Sequence, residues 1–319
     1  MRAMLFALSA LTLTPATGVY AVYPERPVRF IVSSGAGGAP DFNARMLAAE
    51  LSKQMGQPFV VDNRPGAGST LGTAMMARAA PDGYTIGYGT IGPLAMQRSL
   101  QRNLPYDADK DLQAVVLVTL TPNLLAVTSS LQVASVKELI EAARANPGKL
   151  LFASTGTGAS QHLTGELFKF VAGAPIEHIP FKAATPALAD LMAGRVQLMF
   201  ENINSIAPHV RAGRLRGLAV TTLKRVSAFP ELPAVAETVP GFESVSWGGV
   251  VVPARVPSSI VGRLNHEINS AMTLTSVKDK FAAFGVELAG GTPERFTTQI
   301  RKDAAKWADV IRRAGITPD

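Results

Sequence analysis

The chain has 319 residues, 47% of them hydrophobic, with 28 glycines, 22 prolines, no cysteine and a formal net charge of +7. That length suffices for two domains of ordinary size, and the lack of cysteine excludes disulfides, thiolate metal ligands and a lipid anchor on cysteine. The basic residues are scattered, without aromatic interleaving and in runs no longer than two, so the charge describes a solvated surface rather than a nucleic-acid footprint.

Met1–Ala21 carries one charge, Arg2, then an apolar run, Leu5–Leu13, then small residues. This is the layout of a secretory signal, and the apolar run is too short to span a bilayer. Cleavage is expected after Ala21, where Val19-Tyr20-Ala21 roughly fits the small-x-small rule. The mature chain then begins near Val22, outside the cytoplasm.

The first mature element is a strand, Val28–Val32. A turn of small residues follows, Ser33–Pro40, and a helix from Asp41. A glycine-rich strand-to-helix turn aims backbone N–H groups at a helix N-terminus, where anions bind. Strands are predicted next at Phe59–Asp62, Tyr84–Tyr88, Ala114–Val118, Leu124–Val127, Leu150–Ala153, Ile176–Ile179, Val196–Phe200, Leu218–Val220 and Val245–Val252. Helices alternate with them, the pattern of an α/β protein with parallel sheets.

Several helices carry start signals. Ser135-Val136-Lys137-Glu138 is a capping box opening Val136–Ala145. Ser160 reads as the cap of Gln161–Phe170. Thr185 reads as a cap before the first-turn Pro186, in a helix that Gly194 closes. The last helix starts at Pro293 and carries an apolar stripe of Phe296, Ile300, Ala304, Trp307 and Ile311, which places Trp307 in the core. Thr119–Val127 and Gly241–Val252 read as crossovers between two βα blocks. The expected organisation is a signal over residues 1–21, one lobe from 22–121 plus 246–319, and a second lobe from 122–245. Two such lobes form a cleft at the C-terminal ends of their sheets.

Four glycine-rich segments follow strands: Ser33–Asp41, Asn63–Ser69, Gly87–Gly92 and Ser154–His162. One of them in each expected lobe precedes a helix that could point its N-terminus into a common cleft. Catalytic patterns fail. Gly87-Tyr88-Gly89-Thr90-Ile91-Gly92 fits G-x-G-x-x-G, but the acids that follow, Asp107, Asp109 and Asp111, lie in a polar loop and not at a strand end. Gly148-Lys149 is followed by Leu150, which breaks the phosphate-loop pattern. Gly158-Ala159-Ser160-Gln161-His162 lacks the second glycine of a nucleophile elbow. His162, His178, His209 and His266 have no metal-ligand spacing. No catalytic residue, metal or cofactor is predicted.

The ordered segments Tyr23-Pro24-Glu25-Arg26-Pro27, Gly37-Gly38 to Asp41, Val61–Gly68, Ala80-Pro81-Asp82-Gly83-Tyr84-Thr85 and Leu104-Pro105-Tyr106-Asp107 share a pattern with Ala145–Leu150, Ser154–Leu163, His178–Lys182, Ala187–Gly194, Leu218–Thr221 and Trp247-Gly248-Gly249. Together they resemble the solute-binding proteins of tripartite tricarboxylate transporters, also called the Bug family. The resemblance implies a two-lobed, type II-like periplasmic binding fold that closes on a small carboxylate. It implies contacts from Ser34–Gly38, with Ser34, Ala36, Gly37 and Gly38 foremost, and Thr90 in the first lobe, and from Thr155, Thr157, Ser160, Ala183 and Asn202 in the second. Asp41 matches the family's turn acid. It is expected to cap its helix, fix the loop and reach a ligand through water. Gly38 is expected to let the backbone approach the ligand.

The chain departs from the family pattern at Ser33-Ser34-Gly35-Ala36, at Ala183-Ala184 and at Trp247-Gly248, all around the expected cleft. The implied function is capture by a monomer and delivery to an inner-membrane carrier. A sensor subunit that presents its ligand to a membrane signalling protein is the alternative, ahead of a secreted hydrolase.

Overall fold

The computed structural model describes residues 23–283, 285–313, 315 and 316. The expected signal and the start near Val22 lie outside them. In chain order the elements are β1 (Val28–Val32), α1 (Ala39–Met55), β2 (Phe59–Asn63), α2 (Thr70–Ala77), β3 (Thr85–Thr90), α3 (Ala108–Asp111), β4 (Leu112–Thr128), α4 (Val136–Ala145), β5 (Leu151–Ser154), α5 (Ser160–Ala172), β6 (Glu177–Pro180), α6 (Ala184–Met192), β7 (Leu198–Asn202), α7 (Ile203–Arg211), β8 (Leu215–Val220), β9 (Val245–Pro253), α8 (Ser258–Thr273), α9 (Thr275–Ala282), β10 (Glu287–Leu288) and α10 (Pro293–Arg313).

These strands make two lobes that share two long strands. In the first lobe β2, β1 and β3 run parallel, with Val28 opposite Phe59 and Arg29 opposite Thr85. In the second, β6, β5 and β7 run parallel. The expected parallel order therefore holds for both outer triplets. β9 and β4 enter antiparallel and make the whole assembly mixed, with path β2-β1-β3-β9-β4-β7-β5-β6.

The two strands expected at Ala114–Val118 and Leu124–Val127 are one continuous strand, β4. Its first part pairs with β9 as far as Pro122 opposite Val245. From Asn123 it pairs with β7 and β8 instead. Proline cannot donate to a ladder, and Pro122 sits where one ladder ends and the next begins.

Apolar residues on both faces of these sheets build the core. Val28, Phe30 and Val32 pack with Leu47 and Leu51 of α1 and Leu264 of α8. Phe152, Phe168, Phe200 and Phe242 fill the second lobe beside α5. The final helix carries its predicted stripe: Phe296, Ile300, Trp307 and Ile311 are buried. Its Asp303 accepts a hydrogen bond from the Trp247 indole N–H at 2.5 Å, which ties the helix to β9. No helix among the described residues is long and apolar enough to cross a membrane.

The predicted capping box holds at α4, and the caps predicted beside the cleft fail. The Ser135 hydroxyl accepts from the Glu138 N–H at 3.1 Å and the Glu138 carboxylate accepts from the Ala134 N–H at 2.8 Å, so α4 starts as predicted. Ser160, expected as a cap, is instead the first residue of α5, and Ala159 is the N-cap. Thr185 likewise lies inside α6, whose N-cap is Ala183. Asp41 is not the cap of α1, since Gly38 holds that place. From the first turn Asp41 reaches back to accept from the Gly37 N–H at 2.9 Å.

Candidate ligand-binding site

A cavity of about 580 Å3, counting its mouth open to solvent, lies between the lobes at the C-terminal ends of the parallel strands. The first wall comes from the turn after β1 (Ser33, Ser34, Gly35), the start of α1 (Gly38, Ala39, Pro40), Gly66 and Ser69 after β2, and Thr90, Gly92 and Pro93 at the end of β3. The second comes from Thr155 after β5, the start of α5 (Ala159, Ser160, Gln161), Lys182, Ala183 and Ala184 before α6, and Glu201 and Asn202 at the end of β7. Ser246 of β9 lies between the walls, and its hydroxyl faces that of Ser160 at 3.4 Å.

Helix starts dominate this lining. Gly38, Ala159, Ala183 and Asn202 are the N-caps of α1, α5, α6 and α7, and none caps its helix with a side-chain hydrogen bond. All four line the cavity. The first N–H groups of a helix need partners, and a helix N-terminus carries partial positive charge. Four such ends on one cavity make a site for negative charge built from backbone, with Lys182 as the cation of the lining. The buried oxygens of Ser34 and Asn202 have no hydrogen-bond partner within the protein, so each is free to meet a ligand.

The walls touch. A side chain at Gly35 would place its Cβ 2.6 Å from the Ala183 Cβ on the far wall. Thr185 Oγ1 donates to the Ala36 carbonyl at 3.3 Å and Asn204 Nδ2 donates to Asn43 Oδ1 at 3.3 Å. Gly38, expected as the position of close approach, meets only ordinary contacts at 3.7 Å and beyond, so Gly35 holds the tighter place.

Of the expected site residues, Ser34, Gly38, Thr90, Thr155, Ser160, Ala183 and Asn202 line the cavity. Ala36 and Gly37 are exposed and outside the cavity lining, next to Thr185 of the far wall. Thr157 is exposed too and faces an adjoining recess with Phe181 and Gln101. Asp41 is buried behind the turn, where its carboxylate accepts from Arg45, Asn63 and Gly37 at 2.9 Å each. Burial alone would raise it, but these donors outweigh burial and hold the carboxyl below its ordinary value.

Sequence reasoning missed Ser69, Gln161, Lys182, Glu201 and Ser246. Glu201 left a signal: an acid in the apolar run Leu198-Met199-Phe200 of a central strand. The histidines sit apart from the cavity lining. His178 packs against His162 at 4.1 Å between ring centroids and pairs with the Ser154 hydroxyl at 2.6 Å, and burial and His162 push it down to about 3. Among the described residues no cluster of three or more His, Asp or Glu could hold a metal.

Residues 43–316 match the tripartite tricarboxylate transporter family receptor. The protein BugT of Bordetella pertussis is 38% identical over 92% of this chain and 90% of its own length. The structure of R. palustris Rpa4515 with adipate is 38% identical and superposes with a TM-score of 0.91, covering 93% of this chain and all of that one. MatC from Rhodopseudomonas palustris with bound malate is 28% identical with a TM-score of 0.87, covering 91% of this chain and all of that one. With the family match spanning residues 43–316 and relatives 38% identical over more than nine-tenths of the chain, the chain belongs to the tripartite tricarboxylate transporter receptor family.

Proposed function

We propose that this protein captures a small carboxylate outside the cytoplasm and delivers it to an inner-membrane carrier of the tripartite tricarboxylate type, with no chemistry on the ligand. The observation that carries this reading is the convergence of the α1, α5, α6 and α7 N-termini, none capped by a side chain, on one cavity. Backbone N–H groups held by rigid helices bind an oxyanion through charge-assisted hydrogen bonds. The ligands of two relatives, adipate and malate, fit that chemistry. The lobes hinge where β4 changes partners, between Pro122 and Asn123, and where β9 begins at Val245. A ligand touching both walls favours the closed form.

A melting-temperature screen of mono-, di- and tricarboxylates, followed by calorimetry on the hits, tests capture. Ligands that bind only the native state raise the melting temperature. A panel in which no carboxylate binds would remove the proposal. Growth on the identified acid after deletion of the gene, compared with deletion of the carrier, tests delivery.

A further inference from the structure

Glu201 is an odd wall for an anion site. It is 1% exposed, at the end of β7, and it lines the cavity that four helix N-termini face. Two of its hydrogen-bonding neighbours, the Gln161 amide NH2 and the Asn202 N–H, can only donate. Gln161 Nε2 lies 3.4 and 3.3 Å from its two oxygens, a weak contact, and the Gln161 amide oxygen is already engaged by Thr155 and Ser160. The Asn202 N–H acts on it, as does the Ser205 hydroxyl, which is buried and has no other partner. A protonated Glu201 has only the Ser205 hydroxyl as an acceptor on the protein side, and the cavity, which Glu201 lines, is the other open direction.

Other titratable groups on the surrounding elements are engaged elsewhere. Asp41 of α1 is held by Arg45, Asn63 and Gly37. His162 and Glu166 of α5 face each other at 4.0 Å, and His178 of β6 pairs with Ser154. His209 stands in the last turn of α7. Lys182 shares the cavity wall but is exposed and is not among the groups acting on Glu201.

We propose that Glu201 holds the bound carboxylate through a shared proton, its O–H donating to a ligand oxygen, so that the protein takes up a proton from solvent as the ligand enters. This rests on the carboxylate reading above. Two ionised carboxylates in contact destabilise each other, the more so where one is buried, and one proton between them removes the conflict. Burial already pushes the ligand-free group up to about 7 against the pull of its donors. A bound anion adds to that push.

Calorimetry of adipate, malate and a set of monocarboxylates between pH 6 and 8.5, in buffers of different ionisation enthalpy, decides the matter. The wild-type protein is expected to take up as much as one proton per ligand, with affinity falling by up to tenfold per pH unit above the titration of Glu201. Glu201→Gln keeps a donor at this place and is expected to bind with affinity that does not change over the same range. Should that variant fold poorly, proton uptake by the wild type still decides. Binding without uptake, or with affinity that rises with pH as an ionised Glu201 taking a ligand donor would give, overturns the shared proton and leaves carboxylate capture standing. A panel with no binding at any pH overturns both.

Discussion

Each wall of the cleft holds a buried carboxylate, and the two are treated in opposite ways. Asp41, behind the first wall, is surrounded by a guanidinium, an amide and a backbone N–H at full hydrogen-bonding distance. It stays ionised and pins the turn that presents Ser34 and Gly38. Glu201, on the second wall, has long contacts to one amide and no cation among its partners, and it faces the cavity. The first wall has no ionisable residue in its lining, whereas the second has Lys182 and Glu201. The two walls therefore differ in charge: backbone ends and hydroxyls on the first, and backbone ends with one cation and one buried acid on the second.

The largest test of that division is Gly35→Val. Its Cβ would stand 2.6 Å from the Ala183 Cβ, at a backbone conformation that needs no glycine, so the change blocks contact between the walls and spares the fold. Affinity for the best carboxylate is expected to drop roughly a hundredfold, about 2.7 kcal/mol. Small-angle scattering with ligand should show a larger radius of gyration than the wild type. An unchanged affinity would mean that the walls need not meet. Ser160→Ala comes next. Removing one charge-assisted hydrogen bond to the ligand is expected to cost about 1.5–3 kcal/mol by calorimetry, with the melting temperature nearly unchanged.

The two carboxylates also predict opposite pH responses of the ligand-free protein. Asp41 is held below its ordinary value, so its contribution is present above about pH 4 and is lost as the medium becomes more acid. Glu201 is raised to about 7, so its contribution is complete below about pH 4.3 and fades as pH climbs to neutrality. Melting curves across this range should show Asp41→Asn flattening the acid limb and Glu201→Gln flattening the neutral one, by a few degrees each. If both variants changed the same limb, the contrast between the walls would be false. The smallest effect is expected at Lys182→Ala. An exposed rim cation steers association, so a few-fold slower on-rate that vanishes at high salt is the expected result.

Much of the fold was legible because local rules and tertiary structure agree. β1 spans the predicted residues, α4 begins at its capping box, and α10 buries its stripe. The rules failed beside the cavity. Hydroxyl caps were expected at Ser160 and Thr185, but the N-caps of α5 and α6 are Ala159 and Ala183, both in the cavity lining. Glu201 escaped because the predicted strand stopped at Phe200, one residue short, and periodicity gives no weight to a single acid at a strand end. Ser246 and Lys182 reach the cavity through tertiary packing, which one sequence does not display.

The path of the chain also sets an order of assembly. Gly87 of β3 lies opposite Val251 of β9, about 160 residues later in the chain. Until β9 is made, β3 carries an open hydrogen-bonding edge, and so does the first part of β4. Pairings that distant form slowly, and exposed strand edges invite pairing with other chains. A polypeptide cut short before Val245 therefore loses more than its tail: it leaves two adhesive edges in the middle of the molecule, and aggregation rather than a smaller soluble lobe is the expected fate of such a fragment.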